Sequence, residues 1–152
     1  MAAIRMKTTV KLRAKADCPS HARSDVSLRD LVFSIDEPKE RGGTNAGPTP
    51  TETALAAFIG CINVIGNKCA KKLDIDIGHL KIDAECEFDR RGVTLEEEIE
   101  VPFSSVTLNV FADGPADQAA LTRVGQETEK YCPLSKLFRN AGAIVEVNWQ
   151  KA

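Results

Sequence analysis

Residues 51–73 read TETALAAFIGCINVIGNKCAKKL, and how that stretch is covered decides the fold. Between Ala54 and Ile65 only Gly60, Cys61 and Asn63 interrupt the apolar side chains. On a helix, apolar residues so placed face nearly every direction, and a helix without a polar face has to be buried all round. Thr51 or Thr53 can cap it with Pro50 just outside, and Glu52 stands where a carboxylate meets the positive end of the helix dipole. The basic turn from Lys68 to Lys72 suits the other end. The apolar run is shorter than the roughly 20 residues of a membrane span, which predicts a buried helix and no membrane partner. One small sheet covers one side of it. The other side is expected to meet a second copy of the chain, which predicts a homodimer with this helix at its centre.

Working outward, residues 36–50 (DEPKERGGTNAGPTP) are too rich in Gly and Pro for a regular element and predict a long loop. Gly42 and Gly43 are read as loop geometry rather than as a phosphate cradle. Upstream, residues 6–15 and 28–35 carry alternating and β-branched patterns, predicting two strands joined by the polar segment 17–25. Downstream, the pattern predicts strands at 77–89 and 101–112, helices at 116–130 and 133–141, and a last strand at 144–149. The order β-β-α-β-β-α-α-β is that of an α+β fold, expected as a single domain over residues 1–152.

Composition excludes several functions. With 20 basic against 22 acidic side chains and a pI near 5.7, there is no global field for a phosphate backbone, so no nucleic-acid partner is expected. No hydrophobic leader follows MAAIRMKTTV, and five cysteines at irregular spacings do not form a secreted disulfide framework. A reducing, cytoplasmic setting is expected. His21 and His79 are the only histidines and no two cysteines form C-x₂₋₄-C, so no metal site is predicted. Neither a P-loop, a G-x-G-x-x-G nor a G-x-S-x-G is present, and no cofactor is called for. The acidic cluster Glu96–Glu98 with Glu100 reads as solvated surface.

The cysteines carry the chemistry. In Y-C-P-L-S, Cys132 takes the N-cap or first-turn position of a helix with Pro133 at N1, where free backbone N–H groups and the helix dipole stabilise a thiolate. Cys61 sits within the apolar helix, where a thiol is usually a small core side chain. Cys69 and Cys86 read as packing residues, and nothing local activates Cys18. Cys61 and Cys132 are too far apart for a C-x-x-C clip, so any partnership is made by the fold. Such a pair fits a two-cysteine reaction in which one sulfur attacks and the other resolves.

Two longer phrases are recognisable. GGTNAGPTPTETALAAFIGC at 42–61 resembles the GG…GPxPxELLLAALGGC signature of the OsmC/Ohr family, the osmotically inducible and organic hydroperoxide resistance proteins. KYCPLSKLFRNAGAIVEVNW at 130–149 resembles that family's second cysteine segment, and the likeness runs over about residues 28–149. The resemblance implies an intertwined homodimer with two interfacial sites. It also implies a thiol peroxidase acting on organic hydroperoxides and recycled by an external dithiol reductant. By position it makes Cys61 the peroxidatic thiol and Cys132 the resolving one. The family places a Glu directly after the loop proline, paired with an upstream Arg beside the thiol. Here Thr51 follows Pro50 and Glu52 comes one position later, about 100° further round a helix. Glu52 therefore stands either as that glutamate or as a helix-dipole partner. Arg23 is the candidate cation and Arg29 the alternative. A cation is needed because a thiol of pKa about 8.5 is mostly protonated at neutral pH and burial raises its pKa further. The alternative function within the same fold is a non-catalytic protein that binds a hydrophobic ligand or senses redox state.

Overall fold

Helix α1 spans Pro50–Lys72 in the computed structural model, which describes residues 7–152 of the chain. Its start corrects the expected cap. Thr49, rather than Thr51 or Thr53, closes the first turn: its hydroxyl accepts the Glu52 N–H at 3.3 Å, and the Glu52 carboxylate accepts the Thr49 N–H at 2.8 Å. This reciprocal pair is a capping box, and it places Pro50 inside the first turn, where a missing N–H costs nothing. At 23 residues, α1 is also long and apolar enough to cross a membrane by length and composition. That corrects the expectation drawn from the shorter run Ala54–Ile65. Phe58, Ile62, Gly66, Cys69 and Ala70 of the helix are nonetheless buried in the protein's own core.

The chain divides after Thr53 into two units. In the first, strands β1 (Lys15–Asp17), β2 (Ser24–Leu28) and β3 (Leu31–Ile35) form an antiparallel sheet in chain order. The expected strand over 6–15 does not form among the described residues: 7–14 have no regular structure, and Met6 lies outside them. Alternation marks a capacity to pair, but β1 finds partners over only three residues, Lys15 to Asp17. The segment 28–35 is likewise not one strand. Arg29, in the left-handed region with φ 57°, and Asp30 turn the chain so that Leu28 faces Leu31.

The loop after β3 is organised by Asp36. Its buried carboxylate accepts bonds from Thr44 Oγ1 at 2.6 Å, Glu37 N at 2.8 Å, and Thr44 N and Ala46 N at 3.0 Å. The Thr44 hydroxyl, then the Ala46 N–H, hold this carboxyl well below the usual range. Gly42 has φ 86°, and a Cβ on Gly43 would stand 1.8 Å from the Glu37 carbonyl oxygen. The glycine pair is loop geometry, because no side chain fits there.

In the second unit, β4 (Leu80–Phe88), β5 (Phe103–Ala112) and β6 (Ile144–Lys151) form a sheet in that order, antiparallel between β4 and β5 and parallel between β5 and β6. The parallel step needs a crossover, supplied by α2 (Gln118–Tyr131) and α3 (Pro133–Asn140). The result is a mixed α+β fold of two small sheets and three helices, and the elements predicted from residue 51 onward are all present with edges shifted by a few residues.

Alternate residues of β5, Val106, Leu108, Val110 and Ala112, enter the core. Phe58 and Ile62 of α1, Leu121 and Val124 of α2, and Phe138 of α3 meet them there. Phe138 stacks on Phe58 with centroids 5.4 Å apart and takes Phe103 edge-on at 5.4 Å. Trp149 of β6 lies between two helices at their glycines. A Cβ on Gly66 of α1 would stand 2.6 Å from its Cη2, and one on Gly125 of α2 would stand 2.6 Å from its Cδ1. Among the described residues, Val64 of α1 stands outside this core and is 51% exposed.

Candidate active site

Pro133 fixes the position of Cys132. It has no N–H to continue α2, so that helix ends and α3 begins at the cysteine. The Cys132 N–H closes α2 on the Thr128 carbonyl at 2.9 Å, and its sulfur caps α3 by accepting the Ser135 N–H at 3.4 Å. Cys132 is fully buried. Cys61, half-buried, is carried on α1 at the margin of the buried face.

The two sulfurs lie 3.2 Å apart, with the Cys132 thiol donating to Cys61. Burial pushes the Cys132 thiol up to about 11; the Ser135 N–H opposes that shift and the hydrogen bond to Cys61 adds to it. At neutral pH Cys132 therefore holds its proton and offers it to the neighbouring sulfur. Closing a disulfide of about 2.05 Å needs an approach of only about 1 Å. Both cysteines are free thiols here.

Ser135 is a site neighbour that sequence reading missed. Its spacing from Cys132, C-x-x-S, is that of an N-cap and its N3 residue, and this was the available signal. Beyond it, Arg139 reaches the Ser135 hydroxyl at 3.4 Å and pairs with Glu129 at 3.0 Å, tying the first turn of α3 back to α2.

The two charged candidates lie in the first unit. Arg23, half-buried, donates its Nε–H to Asp25 at 2.8 Å. That bond, with one from the Ser34 hydroxyl, holds the Asp25 carboxyl below its usual range. Arg29 is exposed at the β2–β3 turn. Glu52 is engaged in the capping box, and the Thr49 N–H holds its carboxyl below the ordinary value. Of the remaining cysteines, Cys69 is buried and Cys86 is half-buried on the inner face of β4, where burial raises its pKa. Cys18 is exposed, with its sulfur 3.4 Å from Ser24 Oγ. Among the described residues no group of three or more His, Cys, Asp or Glu could hold a metal ion.

The profile of the family described as OsmC-like protein matches residues 43–148. Among solved structures, an OsmC-like protein from Mycoplasma pneumoniae superposes with a TM-score of 0.79 at 14% identity, over 94% of this chain and 98% of that one. An organic hydroperoxide resistance protein from Legionella pneumophila, also described as a predicted redox protein, gives 0.69 at 20% identity, over 95% and 99% of the two chains. The organic hydroperoxide resistance protein of Bacillus subtilis gives 0.64 at 20% identity, over 93% and 98%. No curated protein sequence matches the chain significantly.

Proposed function

The chain belongs to the OsmC-like protein family, and on that premise we propose that it is a thiol-dependent peroxidase that reduces organic hydroperoxides. The observation that carries this reading is the 3.2 Å approach of the Cys61 and Cys132 sulfurs. The hydroperoxide resistance proteins among its structural neighbours lend the substrate class.

In the proposed cycle the Cys61 thiolate attacks the terminal peroxide oxygen, the O–O bond breaks, and the alkoxide leaves as the alcohol after taking a proton. Cys61 is then a sulfenic acid. The Cys132 sulfur attacks it, the S–OH bond breaks, and the departing hydroxide takes the Cys132 proton to leave as water. The product is a Cys61–Cys132 disulfide. An external dithiol reduces that bond and is itself oxidised to a disulfide, consistent with a cytoplasmic setting. The S–H of Cys132 serves twice, first as donor to the Cys61 thiolate and then as the proton of the leaving water.

The same reading gives Arg23 the task of favouring the Cys61 thiolate, because it is half-buried and held by Asp25 whereas Arg29 is exposed. Glu52 is assigned the place of the family's glutamate. The working form is one domain over residues 1–152 in a homodimer. Its support is the apolar surface the chain leaves uncovered: Leu31, Val32 and Phe33 of β3, and Val64 of α1. One observation favours the non-catalytic, ligand-binding reading, namely that Arg23 and Glu52 already have partners in Asp25 and Thr49.

A stoichiometric titration with tert-butyl hydroperoxide, followed by intact mass and disulfide mapping, separates the two. The peroxidase reading expects one equivalent per chain to be consumed and a Cys61–Cys132 link to appear. A protein inert to tert-butyl, cumene and long-chain hydroperoxides would pass the case to ligand binding.

A further inference from the structure

Cys132 belongs to two helices at once, closing α2 with its N–H and capping α3 with its sulfur. Its own backbone is extended, with ψ 111°, so the chain turns from one helix into the other at this single residue. Pro133 has no N–H with which to brace the turn. Where the Cys132 sulfur points therefore depends on what ties the two helices down on either side of it.

Two cations supply those ties, and α2 carries a carboxylate for each. From α1, the helix that holds Cys61, the Lys72 ammonium donates to Glu127 at 2.7 Å and to the Tyr131 hydroxyl at 3.2 Å, and lies 5.0 Å from the Tyr131 ring centroid. Tyr131 directly precedes Cys132. The Glu127 side chain is only 15% exposed, so water competes little for its carboxylate. From α3, the Arg139 guanidinium donates through Nε to the buried Ser135 hydroxyl at 3.4 Å and through Nη2 to Glu129 at 3.0 Å. Ser135 is the residue whose N–H holds the Cys132 sulfur. One cation thus fixes the end of α2 to α1, and the other fixes the first turn of α3 to α2.

We propose that Lys72 and Arg139 are positioning residues for disulfide closure, holding the elbow between α2 and α3 so that the Cys132 sulfur stays on Cys61. A held elbow gives one sulfur a high effective concentration at the other, and a loosened elbow loses it. Resting on the peroxidase reading, these ties then decide a competition at the Cys61 sulfenic acid. In one branch the Cys132 sulfur bonds to Cys61, the S–O bond breaks and water leaves. In the other, a second hydroperoxide oxidises the sulfenic acid to a sulfinic acid and departs as its alcohol, which ends turnover. Firm ties favour the first branch.

The direct test needs no peroxide. The full chain is equilibrated with mixtures of oxidised and reduced dithiothreitol, in which the protein gains a Cys61–Cys132 disulfide as oxidised dithiothreitol becomes the dithiol. The linked fraction is read by mass after alkylation. Lys72→Met and Arg139→Met should each lower the equilibrium constant about five- to tenfold, the scale of a hydrogen bond to a charged group reduced by the exposure of the cations. Lys72→Arg should retain the constant, since a guanidinium can still meet Glu127 and Tyr131. Arg139→Lys should not, because one nitrogen cannot replace two that point to different partners. Arg123→Ala, exposed on α2, should have no effect. With tert-butyl hydroperoxide, both Met variants should keep the rate of the first step but form sulfinic acid at about a five- to tenfold lower peroxide concentration. A constant unchanged in both variants, or no Cys61–Cys132 link in the unmodified protein, overturns the proposal. A lowered constant with an unchanged onset of sulfinic acid overturns its part in resolution. A lowered constant in a protein inert to every hydroperoxide upholds the positioning role and removes the peroxidase reading instead.

Discussion

Cys61 is half-buried and Cys132 fully buried, and burial raises the Cys132 pKa; the proposed cycle gives the two sulfurs separate fates. Cys61→Ser should abolish hydroperoxide consumption. Cys132→Ser should still consume one equivalent per chain and leave Cys61 as a sulfenic acid or a higher oxide, read by intact mass. Equal loss in both variants within a single turnover would contradict the division of labour. On the proposed role of Arg23, Arg23→Ala should slow the first step about tenfold, whereas Arg29→Ala, at an exposed turn, should leave the rate within error. Stopped-flow rates at one equivalent of peroxide decide this. The pH response of Asp36 belongs to the same scale. Its folded pKa lies below its unfolded value, so its stabilisation is fully present above about pH 4 and is lost as pH falls through the folded value. Asp36→Asn should therefore lower the melting temperature at pH 7 and flatten the acid limb of the stability curve. Cys132's place at a helix start was legible because Y-C-P spells it locally. The 3.2 Å sulfur pairing was not, because only the packing of α1 against the α2–α3 junction creates it.

Helix α1 shows how a local rule can be present in the sequence and still be misread. The T-x-x-E of Thr49 to Glu52 is a capping box, but Pro50 draws the eye to a boundary one residue too late. Thr49→Ala should destabilise the protein by about 1 kcal/mol, measurable by urea unfolding. The glycines of the helix interiors are a sharper case. A methyl at Gly66 or Gly125 would meet the Trp149 ring at 2.6 Å. Because the indole is rigid and buried, each Gly→Ala change should cost about 1–3 kcal/mol through overpacking. Gly125→Ala combined with Trp149→Phe should recover part of the loss. If Gly125→Ala proves neutral, the packing of that joint is looser than described. Downstream of α1, strands and helices followed their periodicity because each has its partner nearby. The N-terminal strands departed from theirs because pairing, which the pattern does not encode, limits β1 to three residues.

For the molecule as a whole, the uncovered apolar side chains Leu31, Val32, Phe33 and Val64 are the features a lone chain leaves unexplained. Light scattering at micromolar concentration should return the mass of a homodimer, and a stable monomer would remove that expectation. Gly60→Ala sharpens the question. A methyl there meets nothing within 4 Å among the described residues, so in a monomer it should stabilise the helix by up to about 1 kcal/mol. In a dimer packed on that face it should instead weaken association. In the sequence, dimerisation is suggested by the shortage of polar faces on α1 and by the family resemblance, and the exposed apolar Val64 of α1 keeps that expectation open to test. Trp149 has a use beyond its packing. It is the chain's only tryptophan, and its indole N–H is buried without a hydrogen-bond partner among the described residues. All of the protein's indole emission therefore arises from one joint between α1 and α2, and burial of the ring should blue-shift it in the native state. Since α1 carries Cys61 and α2 ends at Cys132, closure of the disulfide should shift that emission, to be checked by spectra recorded before and after one equivalent of tert-butyl hydroperoxide. A shift would make the indole an optical gauge of thiol state that needs no attached label, and an unchanged spectrum would show that the joint does not respond.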